Sequence, residues 1–280
     1  MKKILITGAN SYIGTSFEKY ISENYSEQYI VDTIDMIDGS WREKSFSDYD
    51  SVFHVAGIAH QKETAENASL YYQINRDLAI ETAKKAKDEG VKQFIYLSSM
   101  SVYGMDVGVI TKDTLPNPKS NYGKSKWQAE QAIVSLDSDD FKVCILRPPM
   151  VYGKGCKGNF NKIKTIVEKC PIFPLVKNQR SMIYIDNLSS FVKICIDKKL
   201  CGLFFPQNNG YISTIDLAKG IGEALGKKVR FEYITGAGVA ILRIFYPTCK
   251  KAFGTLIYDI QNDLDDYCVV LNSDSIKKSV

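Results

Sequence analysis

The 280-residue chain is short of several features that would have narrowed its function at once. It holds only two histidines, His54 and His60, and its seven cysteines are scattered with no C-x-x-C pair. That argues against a zinc site and against a disulfide framework, and for a reducing compartment. No charge of one sign dominates: 36 basic and 32 acidic residues leave +4, with no basic block and no basic-aromatic interleaving. A nucleic-acid surface is therefore not expected. Long apolar runs are also missing. The longest, residues 236–246, contains Arg243 and is too short to span a bilayer, and the stretch between Lys3 and Gly8 is too short for the apolar region of a signal peptide. The expectation is a cytoplasmic protein without membrane insertion. No repeat or low-complexity segment interrupts it, and 45% apolar with 24% charged residues is ordinary for a globular chain. The length suits one large α/β domain, or a domain with a smaller lobe built into it.

The informative stretch is the N-terminus. Ile4-Leu5-Ile6 reads as a buried parallel strand, Thr7-Gly8 ends it, and an amphipathic pattern runs over about 12–24. Strand, glycine-bearing turn and helix aim backbone N–H groups and the positive end of a helix dipole at a phosphate. The spacing between Gly8 and Gly14 is G-x-x-S-x-x-G. By itself this is also compatible with a tight turn that binds nothing. Ser11 stands where a glycine usually lets the backbone approach a pyrophosphate, bringing a Cβ and a hydroxyl there. The next strand, 29–34, ends at Asp35, 21 residues past Gly14, a distance that suits a carboxylate reaching an adenosine ribose. Asp32 is an alternative, although alternation puts it on a strand face.

Residues 36–50 form a polar connection around Trp41, with room for a stunted strand. A buried strand over 51–57 then runs into Ala56-Gly57, small residues that admit either a ligand or a close helix, and His54 reads as a core histidine. A helix over about 66–89 closes on Gly90, its apolar face broken by Asn75. The strand 93–97 delivers Ser99 and Ser101 at its carboxyl end. This alternation predicts an α/β fold with a doubly wound parallel sheet of Rossmann type and ligands at the strands' carboxyl ends. Beyond the strand 141–146 the regular alternation fades. A smaller C-terminal α/β lobe is expected over 154–280, after a core over 1–153, with about 182–206 returning to the core.

Tyr122 and Lys126 stand four apart at the start of a helix, on one face. The spacing is common by chance, and Tyr246/Lys250 repeats it with Pro247 between them. Tyr122 is preferred because its helix begins 23 residues after Ser99, beyond the neighbouring strand.

The glycine turn, the strand-end serine and Y-x-x-x-K occur together here. With the segments 53–57, 97–104, 147–153 and 180–188 in that order, they resemble the extended short-chain dehydrogenase/reductases of the NAD-dependent epimerase/dehydratase group. The likeness is strongest to nucleotide-sugar 4-epimerases acting on UDP-glucose or UDP-N-acetyl sugars. The resemblance implies a tightly held NAD, with Gly8, Ser11, Tyr12, Ile13 and Gly14 at the pyrophosphate, Asp35 at the adenosine ribose, and Ala56, Gly57, Asn75 and Pro149 lining the cofactor. Asp35 followed by Met36, with no basic neighbour, favours NAD over NADP, whose 2′-phosphate would meet a carboxylate. It further implies Tyr122 as acid/base assisted by Lys126, Ser99 on the same substrate oxygen with Ser101 beside it, and Asn159 and Arg180 near a nucleotide diphosphate. Arg180 alone would read as a surface arginine. Bringing a phenol from about 10 to near neutral takes roughly 4 kcal/mol of differential stabilisation, which Lys126 and the cofactor's positive charge can supply. A homodimer paired through the helices around 66–89 and 121–137 is implied as well. Met100 and Ser101 occupy the places where a 4,6-dehydratase usually carries acidic residues. The reading is a 4-epimerase in polysaccharide precursor synthesis, with a 4-keto-sugar reductase using NAD(P)H as the alternative. A non-catalytic dinucleotide sensor would be marked by loss of the tyrosine or lysine, and both are present.

Overall fold

The structure is a computed structural model and describes residues 1–59, 61–233, 253–260, 264 and 266–280. They form two compact units, one made of Met1–Gly104, Pro116–Pro148 and Leu188–Pro206, the other of Met105–Leu115, Pro149–Asn187 and Gln207–Val280. His60, the apolar run 236–246 and the Tyr246/Lys250 pair lie outside the described residues.

In the first unit six short apolar runs become strands: β1 (Lys2–Thr7), β2 (Tyr29–Ile34), β3 (Ser51–His54), β4 (Gln93–Leu97), β5 (Lys142–Leu146) and β6 (Gly202–Phe204). They form one parallel sheet in the order β6-β5-β4-β3-β1-β2. Every position of β3 and β4 is buried, as a strand covered by helices on both faces requires. The covering helices are α1 (Tyr12–Tyr25), α2 (Ala68–Tyr72), α3 (Leu78–Asp88), α4 (Asn121–Val134) and α5 (Ile185–Asp197). The strand order changes direction between β1 and β3. In open α/β sheets that switch point, at the carboxyl ends, is where a crevice for ligands opens. The doubly wound sheet anticipated from the sequence is present.

Two local expectations are corrected. The connection 36–50 holds no strand, only a 3₁₀ turn, Ser40–Arg42. Its aromatic residues are spent on the core instead: Trp41 and Phe46 are fully buried with ring centroids 6.4 Å apart, leaving β2 as the sheet edge. The long helix over 66–89 is not uniform, because a π turn, Gln73–Asp77, joins α2 to α3. One extra residue per turn swings fully buried Asn75 inward.

In the second unit three two-stranded parallel ladders pair Gly108–Ile110 with Leu256–Tyr258, Met150–Tyr152 with Met182–Tyr184, and Ile172–Pro174 with Arg230–Glu232. The first ladder is why 105–115 groups with this unit. Helices Asn159–Lys169, Thr214–Ala224 and Asn272–Lys278 pack with the ladders, and a capping box of Ser213 and Asp216 starts the second of them. Asn208 acts as a buried hub, donating to the Tyr152 hydroxyl at 3.0 Å and accepting from Asn187 at 2.9 Å and the Tyr184 amide at 3.0 Å. Among the described residues no helix is long and apolar enough to cross a membrane.

His54 at the end of β3 is fully buried, with Nδ1 2.8 Å from the Thr7 hydroxyl and its ring against Phe94 and Tyr96. Burial, reinforced by Lys126, lowers its pKa from 6.5 to about 3. The folded protein keeps this imidazole neutral while the unfolded chain takes up a proton below pH 6.5. Stability is therefore intact above pH 6.5 and drains as the pH falls towards 3, by as much as ~5 kcal/mol. Replacing His54 with Gln should flatten this acid limb in urea melts recorded between pH 4 and 7; an unchanged limb would assign the acid sensitivity elsewhere.

Candidate functional site

The carboxyl edge at β1 and β3 is packed to contact. Gly8 follows β1 at φ +110°, a conformation that side chains rarely adopt, and a Cβ there would lie 2.8 Å from the Ala56 backbone. The Val55 and Ala56 amides both donate to the Thr7 carbonyl, at 3.1 and 2.9 Å, while the Gly8 and Ala9 amides donate to the Ile34 carbonyl of β2. The turn is thus clamped between the two neighbouring strand ends.

Ser11 is the N-cap of α1. Its backbone is extended (φ −71°) and its hydroxyl accepts the Gly14 amide at 3.2 Å. Glycine's conformational freedom is not needed at this position, and the hydroxyl that looked misplaced is folded back onto the helix. A Cβ at Gly14 would lie 2.6 Å from the Ser11 oxygen and 3.1 Å from Ile6 and Val55, so only glycine lets the helix start sit this close to the strands. Tyr12 and Ile13 open the helix between these two residues. A bare cradle of backbone at a capped helix N-terminus fits the pyrophosphate of a dinucleotide. Asp35 lies exposed just past β2, accepting the Ile37 amide at 2.9 Å. Beside it a cavity of about 290 Å³ is lined by Met36, Ile37, Trp41, Ile74 and Leu78 among others.

Asn75 spends its amide inside the chain. It accepts from the Ile58 amide at 2.8 Å and donates to the Ile58 carbonyl at 3.1 Å and to Ser125 at 3.3 Å. Its backbone carbonyl takes the Tyr96 hydroxyl at 2.9 Å. The π turn therefore pins the segment after Gly57, which itself sits against Asn75 and the Lys126 ammonium.

Ser99, just past β4, caps the 3₁₀ turn Met100–Tyr103. Its hydroxyl accepts the Ser101 amide at 3.1 Å and donates to the Ser101 hydroxyl at 3.2 Å. Ser99 is also near enough to the Tyr122 phenol to favour its ionised form. Tyr122 is the second residue of α4, closely ringed by protein while still partly exposed. Burial pushes its phenol above 10, with Ser99 opposing and Tyr71 adding to the rise. One turn on, Lys126 is buried. Its ammonium donates to the Leu97 carbonyl at 2.9 Å and lies 4.7 Å from the centre of the Tyr96 ring. Burial lowers it from 10.5 to about 8, with Glu130 opposing. The structure thus brings Ser99, Tyr122 and Lys126 together at the carboxyl edge of β4, in the same unit as the glycine turn.

Several contributors escaped the sequence reading. Glu63 accepts the Asn121 and Tyr122 amides at 2.9 and 3.1 Å and anchors the loop after β3 to the start of α4. Nothing in its local sequence marks it. Glu130 and Arg147 form a buried ion pair beside Lys126. A signal for Glu130 did exist, because it follows Lys126 by four residues on the same helix face.

The remaining predicted residues belong to the second unit and are described there alone. Pro149 is buried just before Met150–Tyr152, and Asn159 opens its helix half-buried. Arg180 is not a free surface arginine: it is partly buried and donates to the Gly254 carbonyl at 2.9 Å, with burial lowering its pKa and Asp106 opposing.

A Rossmann sheet with a glycine turn, a strand-end serine and a helical Tyr-Lys pair defines a dinucleotide-using enzyme of the short-chain dehydrogenase type. The model of the NAD dependent epimerase/dehydratase family matches residues 4–200, and the chain belongs to that family. It is 32% identical to a UDP-glucose 4-epimerase of Vibrio cholerae over 254 residues, covering 81% of this chain and 76% of that protein. It is 27% identical to an N-acetyl-alpha-D-glucosaminyl-diphospho-ditrans,octacis-undecaprenol 4-epimerase of Escherichia coli O157:H7, over 68% of this chain and 62% of that protein. The fold matches that of a UDP-glucuronic acid 4-epimerase from Bacillus cereus in complex with NAD, with a TM-score of 0.75 at 23% identity, covering 99% of this chain and 95% of that one.

Lys126 carries its burial penalty in full below about pH 8, and the penalty fades as the pH rises towards 10.5. It amounts to about 3 kcal/mol, of which the lost bond to Leu97 would give back about 1. Lys126→Met should therefore raise stability at pH 7 by ~2 kcal/mol, with the gain shrinking as the pH passes 8. Denaturant melts at pH 7 and 9 measure this; a destabilised variant at pH 7 would contradict it.

Proposed function

We propose that this protein is a nucleotide-sugar 4-epimerase that inverts C4 of a UDP-hexose or UDP-N-acetylhexose through a transient 4-keto sugar, in polysaccharide precursor synthesis. The observation that carries the reading is the convergence of Ser99, Tyr122 and Lys126 at one strand end of the sheet that also bears the glycine turn. The 4-epimerases among its relatives add support.

NAD, when bound, supplies reversible two-electron oxidation at the sugar carbon. The backbone of Gly8, Ser11, Tyr12, Ile13 and Gly14 would hold its pyrophosphate, Asp35 its adenosine ribose, and the cavity bounded by Met36, Trp41 and Leu78 its adenine. Ala56, Gly57 and Asn75 would line the cofactor, Asn75 through the Ile58 backbone it holds, and Pro149 is a further candidate for the lining. An exposed carboxylate at Asp35 with Met36 after it favours NAD over NADP.

Tyr122 takes the proton of the C4 hydroxyl and returns it. Its phenol stands above 10 without cofactor, so a phenolate at neutral pH needs nearby positive charge from Lys126 and from the oxidised nicotinamide. Ser99 donates to the same substrate oxygen, with Ser101 in support. Arg180 and Asn159 hold the nucleotide diphosphate, for which a partly buried guanidinium is well suited. We further propose a cytoplasmic homodimer paired through α2–α3 and α4.

The experiment is to denature the purified protein, identify any released nucleotide, and assay UDP-glucose and UDP-N-acetylglucosamine for C4 inversion by NMR. Co-purifying NAD with inversion is expected. NADPH oxidation with a 4-keto-sugar nucleotide, without retained cofactor, would replace the reading with a reductase. Tyr122→Phe should keep bound NAD while kcat drops about 10²–10⁴-fold; surviving turnover would remove Tyr122 from its assigned role.

A further inference from the structure

Beside the Tyr122–Lys126 helix face lies an ion pair that the chemistry above does not use. Glu130 and Arg147 have side chains only 3% and 5% exposed. The Arg147 Nη2 donates to Glu130 Oε2 at 2.6 Å and Nε lies 3.1 Å from both carboxylate oxygens. Nη1 donates to the Tyr103 hydroxyl at 2.8 Å, and the Ser98 hydroxyl donates to Glu130 Oε1. The guanidinium also stacks on Tyr103 and Trp127, 5.1 and 5.2 Å from the ring centres. Both carboxylate oxygens are thus engaged by one planar fork and one hydroxyl.

Lys126 precedes Glu130 by four residues on α4, the spacing at which a lysine and a glutamate on a helix pair. In a buried setting that attraction is much stronger than on a surface. Yet the ammonium donates to the Leu97 carbonyl and lies over the Tyr96 ring instead. We propose that Arg147 is a positioning residue for Lys126: by engaging both oxygens of Glu130 it withholds the nearest carboxylate from the ammonium and leaves the lysine facing Tyr122 and the cofactor. The inference rests on the reading of Lys126 given under Proposed function. The other titratable groups around Lys126 are Tyr96, Tyr122 and His54, with Tyr103 on the far side of the pair. Among the described residues, Glu130 is the carboxylate that acts on Lys126.

The prediction concerns three variants: Arg147→Met, Glu130→Leu and the double replacement. With Arg147 gone, Glu130 turns to Lys126, and kcat falls about 10²-fold at a temperature where near-UV circular dichroism shows the variant folded. The Lys126 pKa, followed by ¹³C NMR of lysine-labelled cofactor-free protein and assigned with Lys126→Met, rises by about one unit or more. Removing both partners leaves no carboxylate to compete, so the double variant should recover kcat to within about tenfold of the wild type and return the Lys126 pKa towards its original value. Glu130→Leu leaves a buried guanidinium beside the ammonium and should lower the Lys126 pKa.

A folded Arg147→Met protein with wild-type kcat and an unmoved Lys126 resonance overturns the proposal. So does a folded double variant that stays inactive. If Arg147→Met does not fold, the double variant alone decides. Should the wild type invert no nucleotide sugar, the epimerase reading fails, and the Lys126 titration still reports on the pair.

Discussion

The close approach of two strand ends is the constraint on which this molecule depends. β1 and β3 are adjacent and parallel, and the chain leaves them in opposite directions across the sheet, so a crevice opens between their carboxyl ends. For helix α1 to begin inside that crevice its backbone must come within contact distance of Ala56 and Val55. Gly8 and Gly14 make this possible, and Ser11 satisfies the amide that the tight entry exposes. The other features of the site are arranged around the resulting backbone surface. The π turn exists because Asn75 must reach Ile58 on the segment that leaves β3, and Glu63 further along that segment ties it to the start of α4. A loop that would otherwise be free to drift is held at several points by buried or half-buried groups.

Electrostatics at β4 and α4 follow a different logic from the rest of the core. A buried ammonium, a buried ion pair and a buried histidine occupy one small region. Each would be better served, in terms of stability alone, by an apolar residue. Lys126 sits where burial opposes its charge, and Tyr122 where burial opposes its ionisation. A further positive charge would favour the Tyr122 phenolate while lowering the Lys126 pKa still more. The stability of the fold is thus lowered locally by the burial of ionisable groups, a compromise common at functional sites.

The connection 36–50 forgoes a strand and packs Trp41 and Phe46 into the core instead. β2 is left as the edge, and the cavity next to Asp35 is walled by side chains of that connection and of the helix that begins at the π turn. The wall of a ligand-sized cavity is therefore made by a segment whose own sequence looked like a plain linker.

The order of the elements, the parallel sheet, the glycine turn and the pairing of Tyr122 with Lys126 were all legible in the sequence. They rest on local rules: apolar runs of strand length, a helix period, and a spacing of four residues on one helix face. Family membership was legible for the same reason, since its landmarks are short and contiguous. What the tertiary structure alone decided is which distant groups share a buried space. Glu63 reaches α4 across 58 positions, Arg147 meets Glu130 from another strand end, and Tyr96 lies under Lys126. Strand alternation put Asp32 on a strand face and left Asp35 at the strand's tip. In the fold Asp32 accepts the Tyr49 hydroxyl at 2.6 Å while Asp35 stands exposed beside the cavity. Periodicity reports a residue's face and burial. The partner a charge finds there is determined by packing between segments remote in sequence, which no local pattern encodes.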